Sequence, residues 1–244
     1  MARLMILPQE WVEGSELLPD GWFEKRASGL LKKIPELTKW IDEICKHVGV
    51  SWKLLATRME LEQSAISYPW DGSTTQYEGG IKGEMTKLRY LCGVDKTDSG
   101  PRQNGWFEPR RQMLGCALRF KYWYRGINPS GNWKNWLGLK EDPSFKAGSP
   151  ITRMGITITP ENQISADCFR YTSGINAQLS LAKIARNWFQ VDFDMHFGRS
   201  VIMMIDGSSI EGEVFTSEDN IVVEKDNKDL ATIPFFLIES ITKK

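Results

Sequence analysis

The chain has 244 residues, a length that suits one large domain or two modest ones. Its 31 basic and 31 acidic residues cancel, so the composition gives no indication of a nucleic-acid partner. No apolar run approaches the roughly 18 to 20 residues of a membrane-spanning helix, and the N-terminus, broken by Pro8 and acidic residues, does not have the pattern of a secretion signal.

The cysteines and histidines show no metal-binding pattern. There is no CxxC pair and no zinc-ligand spacing among the four cysteines, and the two histidines are isolated. We therefore expect buried free thiols, synthesis in a reducing cytoplasm, and neither a metal nor another cofactor.

The N-terminal part is predicted to be a leader followed by helix. Residues 1–30 contain a Pro-Asp-Gly turn and little periodicity, which predicts a leader with little regular structure. Residues 29–48 keep one face apolar, which predicts a helix with a break at Pro35.

The next stretch, Trp52–Tyr68, is predicted to form one helix that places an acidic residue on its apolar face. Ser51 is a suitable N-cap, and Pro69 supplies the stop. Glu62 falls at helical spacing within the apolar stripe. The apolar residues of that stripe are Leu55, Met59 and Ile66.

A carboxylate on an apolar face has two interpretations. Burial favours the neutral form of a carboxyl group, and a carboxylic acid that is protonated near neutral pH can donate the proton that glycosidic cleavage requires. Alternatively, Glu62 pairs with a basic residue such as Arg58 or reaches water at the helix edge.

Two polar stretches follow, each ahead of a predicted helix. Residues 69–80 and 95–105 are rich in Gly and turn-forming residues, which predicts loops before helices at 81–92 and 110–125. Asp95 and Asp98 are candidates for a second carboxylate, with turn formation as the alternative role.

The following region is irregular and rich in tryptophan. Residues 126–163 contain Gly, Pro, Asn and Trp and one short β element at 151–160, and helices are predicted at 164–172 and 177–190. The ten tryptophans of the chain either fill the core or form stacking platforms for sugars.

From about Phe197 the hydrophobic period changes to two. A hairpin is predicted around Asp206-Gly207, and five short strands in residues 198–244 predict a small barrel that resembles the Sm-like fold. Acidic residues in the middle of this segment disfavour a nucleic-acid surface, so we expect an attachment, assembly or wall-binding module.

Three segments within about residues 45–197 resemble the lysozyme-like lytic transglycosylase superfamily: LLATRMELEQSAIS, NGWFEPRRQMLGCALRFKYWY and ADCFRYTSGIN. Members carry a Glu-Ser or Glu-Gln-Ser pair at a helix end, which corresponds here to Glu62 and Ser64. The resemblance implies that Glu62 is the catalytic acid and that Ser64 orients it or the substrate. The residues to which the resemblance assigns substrate binding are Ser64, Trp106, Phe107, Gln112 and Tyr171.

Together these features predict an α+β protein with a mainly α-helical lysozyme-like domain at 31–197 and a five-stranded barrel at 198–244. The expected activity is cleavage of the β-1,4 bond between N-acetylmuramic acid and N-acetylglucosamine, by a lytic transglycosylase or a muramidase of phage or prophage type, such as an endolysin. The expected partners are peptidoglycan glycan strands, with virion or self-assembly contacts through the barrel. We expect no nucleic acid and no membrane span.

Without a secretion signal, such an enzyme would reach the cell wall through holin pores or as part of a virion. The alternative is a non-catalytic virion or cell-wall-binding structural protein that retains a lysozyme-like fold.

Overall fold

The computed structural model has a mixed α+β architecture. It describes residues 2–72, 74–77, 80–94, 96–97, 100–101, 108–126, 145–153, 156–172, 174–191, 195–217, 220–234 and 237–243. The chain divides into two compact units, one made of Glu10–Glu141 and the other of Met1–Gln9 together with Asp142–Lys244.

Helices predominate in the first half of the chain, and the longest strands lie at its C-terminal end. The helices are α1 (Glu10–Glu13), α2 (Trp22–Arg26), α3 (Ser28–Lys33), α4 (Leu37–Val48), α5 (Trp52–Gln63), α6 (Glu84–Arg89), α7 (Pro109–Tyr124), α8 (Gln163–Tyr171) and α9 (Ile175–Phe189). The strands are β1 (Ala2–Leu4), β2 (Thr74–Tyr77), β3 (Gly80–Gly83), β4 (Lys96–Thr97), β5 (Gly100–Pro101), β6 (Ile151–Arg153), β7 (Ile156–Pro160), β8 (Met195–Met204), β9 (Ser209–Ser217), β10 (Asn220–Glu224), β11 (Leu230–Pro234) and β12 (Ile238–Lys243).

The unit Glu10–Glu141 is built around three helices. Helices α4, α5 and α7 pack against one another, and their apolar faces are buried in a common core. Fully buried side chains of this core include Ile41, Leu55, Met59 and Phe120. Each such side chain stabilises the fold by roughly 1.5 to 3 kcal/mol relative to exposure to water.

Tryptophans extend this core. Trp22 and Trp52 meet edge to face with ring centroids 4.8 Å apart, and Phe23 packs beside both. The tryptophans of this unit that are at most 9 % exposed are Trp11, Trp22, Trp52, Trp70 and Trp123. For these five, the interpretation as core residues applies, because so little ring surface reaches solvent.

A buried lysine joins three helices of the same unit. The ammonium of Lys121 on α7 donates hydrogen bonds of 2.6 Å to the carbonyl of Val12 at the end of α1 and to that of Gly49 after α4. Burial lowers the pKa of Lys121. Because the last carbonyls of a helix have no partner within it, this cation satisfies two helix ends at once.

Several local predictions are confirmed. The break at Pro35 separates α3 from α4. The Ser51 hydroxyl caps α5 by accepting a hydrogen bond from the Lys53 amide at 3.3 Å. The hairpin between β8 and β9 turns at Asp206-Gly207, where Gly207 has a φ of 81°.

Helix α5 is shorter than predicted. It ends at Gln63 and not at Tyr68, because Ser64 adopts a left-handed conformation with φ 49°. The Glu60 carboxylate then accepts a hydrogen bond of 3.0 Å from the Ile66 amide. This side-chain bond offers the backbone an alternative to helical bonding, and the chain turns away one residue after the helix.

The other unit contains a mixed sheet with strand order β11-β10-β9-β8-β1-β7-β6, and β12 also pairs with β8. Strand β1 lies parallel to β7 and antiparallel to β8. The Ser165 hydroxyl on α8 accepts a hydrogen bond of 2.8 Å from the Ile6 amide, and the Asn162 carboxamide donates one of 2.9 Å to the Leu7 carbonyl. The N-terminal segment is thereby built into a unit whose other residues come from the second half of the chain.

The prediction of a small closed barrel is wrong in its closure. Strands β8–β12 form a five-stranded antiparallel sheet in the order β11-β10-β9-β8-β12, but within the described residues β11 and β12 do not pair with each other. Gly212 lets β9 approach β10 closely, because a Cβ there would lie 2.3 Å from the Glu224 carbonyl oxygen. Five strands are present in this segment, as expected from the sequence, but the described residues do not close them into a barrel.

The organisation of the two units also differs from the prediction. Residues 1–30, expected to be a leader with little regular structure, contain β1, α1, α2 and part of α3, and they bury Phe23 and Leu30. The predicted boundary between 197 and 198 falls inside β8. Strand pairing between the chain start and β7 and β8 is a long-range contact, so local periodicity does not reveal it.

The stretches predicted as loops at 69–80 and 95–105 carry short strands. Strands β2 and β3 form an antiparallel hairpin, and β4 and β5 form a second, shorter one. Backbone pairing of these polar residues does not require the apolar alternation by which strands are recognised in a sequence.

Candidate functional site

Glu62 lies in the last turn of α5 and is largely sheltered from solvent. Its side chain is 16 % exposed, and the guanidinium of Arg58, one turn earlier and fully buried, donates a hydrogen bond to its Oε1 atom. The pairing considered from the i,i+4 spacing is therefore present. The carboxylate is in turn the counter-ion of a guanidinium that is buried in the protein.

A glycine covers the other carboxylate oxygen. Gly93 has a φ of +70°, a left-handed conformation that favours glycine. A Cβ built on Gly93 would lie 2.4 Å from Glu62 Oε2 and 2.6 Å from its Cδ, well inside van der Waals contact. The carboxylate thus lies between the Arg58 guanidinium and the Gly93 backbone, and any side chain at residue 93 would require Glu62 to move.

Gln112 on α7 holds the turn that carries Gly93. Its carboxamide oxygen accepts hydrogen bonds from the Cys92 amide at 3.3 Å and the Val94 amide at 3.0 Å, and its amide nitrogen donates to the Val94 carbonyl at 2.9 Å. Gln112 is fully buried. Its polar atoms are therefore bound by the backbone, whereas the sequence resemblance assigns Gln112 to a substrate cleft.

Two thiols lie beside this arrangement. Cys92 and Cys116 are fully buried, and their thiols are hydrogen-bonded to each other. Burial is the main cause that raises the pKa of the Cys92 thiol well above its usual value; Cys116 and Glu62 add to the rise and Arg58 opposes it. Both members of the Arg58–Glu62 pair therefore act electrostatically on Cys92.

Ser64 stands at the exposed C-cap of α5. Nearby, the ammonium of Lys87 donates a hydrogen bond to the Gln63 carbonyl and lies 4.4 Å from the ring centroid of Tyr68. Burial lowers the pKa of Lys87, while Glu60 opposes this shift. The described groups around the end of α5 therefore include the Glu60 carboxylate, the Ser64 hydroxyl, the Lys87 ammonium and the Tyr68 ring.

The remaining predicted site residues are distributed differently. Tyr171 ends α8 in the unit that contains the mixed sheet, where it is half-buried. The predicted residues that lie outside the described part of the chain are Asp95, Asp98, Trp106 and Phe107. Among the predicted site residues, Gln112 is therefore linked to Glu62 indirectly: it binds the backbone on either side of Gly93, and Gly93 lies against the Glu62 carboxylate.

A fully buried carboxylate, Asp167, is not among the residues predicted from the sequence. Asp167 on α8 is fully buried, and its Oδ1 accepts a hydrogen bond of 2.9 Å from the Gln163 carboxamide. Within the described residues its Oδ2 has no hydrogen-bond partner. Burial raises the pKa of Asp167 to about 7, although Gln163 and Arg170 oppose the shift. The available signal was its position within the short apolar segment Ile164–Phe169, where every residue is buried.

The described residues give no sign of a metal centre, since they contain no group of three or more His, Cys, Asp or Glu side chains arranged to hold an ion. In the same part of the chain, the helices are too short or too polar to cross a bilayer. The chain has no significant match among protein-family models, curated proteins or solved structures.

Proposed function

We propose that this chain is a lysozyme-like enzyme, a lytic transglycosylase or muramidase that cleaves the β-1,4 bond between N-acetylmuramic acid and N-acetylglucosamine. Glu62 is the proposed acid. The observation that supports the proposal is the setting of Glu62, a sheltered carboxylate in the last turn of α5 that is followed by Ser64 at the C-cap. This is the arrangement on which the sequence resemblance rests.

In the proposed reaction Glu62 donates a proton to the glycosidic oxygen as the bond breaks. In a transglycosylase the same group then removes the proton from a muramyl hydroxyl, and a 1,6-anhydro product forms without water. In a muramidase a second carboxylate positions water or stabilises the oxocarbenium ion. The candidates for that carboxylate remain Asp95 and Asp98.

The proposed substrate is the glycan strand of peptidoglycan, reached through a holin pore or from within a virion. Strands β8–β12 would supply the attachment or assembly contacts. Among the described residues of these strands, Arg199 is paired with Asp226 at 2.7 Å and with Glu211 at 3.0 Å. This charge balance supports a protein or cell-wall partner over a nucleic acid.

One observation favours a second function, that of a non-catalytic virion or cell-wall-binding protein. The Glu62 carboxylate is paired with a fully buried Arg58 guanidinium. Removing one partner of such a buried pair is strongly destabilising, so the pair has a structural role whether or not the chain is an enzyme. In this case the Arg58–Glu62 pair is a structural element of α5.

Digestion of purified peptidoglycan separates the two functions. Wild type and Glu62→Gln are incubated with walls of several chemotypes, and the soluble muropeptides are identified by mass. Glu60→Gln is the matched control, because it makes the same chemical change two residues earlier on α5 and retains an oxygen for the hydrogen bond from Ile66. Melting temperatures of all three proteins establish that they are folded.

Anhydro-muramyl products that disappear only in Glu62→Gln would support a transglycosylase that uses Glu62. Reducing-end products with the same dependence would support a muramidase. Equal release by wild type and Glu62→Gln would reject Glu62 as the acid. Absence of release from every wall type would reject the enzyme and favour the structural protein.

A further inference from the structure

The contact between Cys92 and Cys116 is a chemical feature that the proposed cleavage reaction does not use. All four cysteines of the chain are buried free thiols, but these two differ from an isolated buried cysteine because each thiol is the hydrogen-bond partner of the other. Two cysteines can be joined without backbone movement only if their Cα atoms lie within about 7 Å and their Cβ atoms do not point apart, and thiols in mutual contact favour that arrangement.

The backbone around the two thiols is held in place by independent contacts. Cys116 lies one helical turn after Gln112 on α7, on the same face. The Gln112 carboxamide binds the Cys92 amide and both polar backbone groups of Val94. The 92–94 turn is therefore clamped to the same side of α7 from which the Cys116 side chain extends, so the two cysteines are kept together by more than their own contact.

We propose that Cys92 and Cys116 are a disulfide-forming pair, oxidised when the chain folds in the presence of a small-molecule disulfide such as oxidised glutathione. One protein thiolate attacks glutathione disulfide, forms a mixed disulfide and releases one molecule of glutathione thiol. The second protein thiolate attacks the mixed disulfide and releases the other. The protein loses two hydrogens and two electrons, and these are recovered in two glutathione thiols.

The bond would form during folding more readily than in the folded protein. Burial raises the pKa of the Cys92 thiol, so the thiolate needed for exchange is scarce in the folded state. In the unfolded chain both thiols are solvated and have ordinary reactivity, and folding then brings them together. A chain that folds in a reducing compartment would keep both thiols, as they stand in this structure.

The expected consequence is a covalent link between α7 and the turn that places Gly93 against Glu62. The link closes the loop from residue 92 to residue 116, which restricts the unfolded chain. It does not depend on glycan cleavage, so this proposal and the proposed function stand or fall separately.

The test is refolding of the full chain from denaturant in a buffer of excess oxidised glutathione, followed by alkylation with iodoacetamide under denaturing conditions. The expected product carries the alkyl group only on Cys45 and Cys168, and a non-reducing peptide map links the Cys92 peptide to the Cys116 peptide. Its melting temperature is expected to exceed that of the dithiothreitol-treated protein by roughly 5 to 10 °C.

Cys45→Ala is the matched control. Cys116 is close enough to contribute, after burial and Asp42, to raising the pKa of Cys45 to about 12, so Cys45 is the competing partner. The link is expected to persist in Cys45→Ala and to be lost in Cys92→Ala. Alkylation of all four cysteines, or a bond that joins Cys45 to Cys116, would overturn the proposal. The native protein can also be incubated for days in the same buffer and mapped in the same way. This measures formation of the Cys92–Cys116 link without refolding, because local opening exposes the thiols.

Discussion

Replacement of Gly93 by alanine tests the central feature of the site, the confinement of the Glu62 carboxylate. The added methyl group must adopt a φ of +70° and would lie 2.4 Å from Glu62 Oε2. Ordinary van der Waals contact begins at 3.4 Å, so one of the two groups must move by about 1 Å. Glu62 is the group with freedom to move, but its retreat disturbs the pair with Arg58.

Two costs add in this variant. A left-handed conformation costs a residue with a Cβ about 1 to 2 kcal/mol. Separation of a buried ion pair costs up to roughly 3 to 5 kcal/mol, because the guanidinium loses its counter-ion. We therefore expect Gly93→Ala to lower the free energy of unfolding by roughly 2 to 5 kcal/mol. If Glu62 is the catalytic acid, a displacement of about 1 Å would also lower the cleavage rate by on the order of 100-fold.

Comparison of urea unfolding for Gly93→Ala and Gly21→Ala isolates the cost of disturbing the Arg58–Glu62 pair. Gly21 has a nearly identical φ of +73°, and a Cβ there meets nothing within 4 Å, so this control carries the conformational cost alone. A double-mutant cycle with Glu62→Ala provides the stricter test, since removing the carboxylate removes the atoms that the methyl group would meet. In that background Gly93→Ala should cost only about 1 to 2 kcal/mol.

Equal destabilisation by Gly93→Ala and Gly21→Ala would contradict a contact between residue 93 and the Glu62 carboxylate. So would a cost of Gly93→Ala that is the same with and without the Glu62 carboxylate, because the carboxylate would then not be in contact with residue 93.

Two further predictions concern buried ionisable groups elsewhere. Lys121→Met should lower the free energy of unfolding by roughly 2 to 4 kcal/mol in a urea titration, because the carbonyls of Val12 and Gly49 lose a charged donor. The control Lys46→Met removes a surface-exposed ion pair and should change that free energy by less than about 1 kcal/mol. Similar losses in both variants would contradict the helix-joining role of Lys121. The carboxyl pKa of Asp167 is about 7 in the folded state, against an ordinary value of 3.8. Between these two pH values the folded protein binds more protons than the unfolded chain. The free energy of unfolding therefore falls as pH rises through this window, by up to about 4 kcal/mol. Asp167→Asn should remove this slope and be the more stable protein at pH 8, as measured by urea unfolding from pH 4 to 8; an unchanged slope would contradict the assignment.

Local features of the site could be predicted because they depend on residues near one another in the chain. The i,i+4 spacing of Arg58 and Glu62 identified their pairing as one of two alternatives, and the structure contains it. The cap at Ser51 followed from the same helical geometry. The early end of α5 did not, because the Glu60 carboxylate and the left-handed Ser64 compete with helical bonding in a way that apolar periodicity does not register.

By itself, the amino-acid sequence determined the main helices, the β8–β9 hairpin and the placement of Glu62 on the sheltered side of α5. Periods of 3.6 and 2 and the residues at helix and turn ends carry that information. Tertiary structure alone decided that Gly93 lies against Glu62, that Gln112 serves the backbone, that Cys92 meets Cys116, and that β1 joins β7 and β8. Each of these contacts joins residues distant in the chain, and such contacts form only when whole elements pack, so no local spacing encodes them.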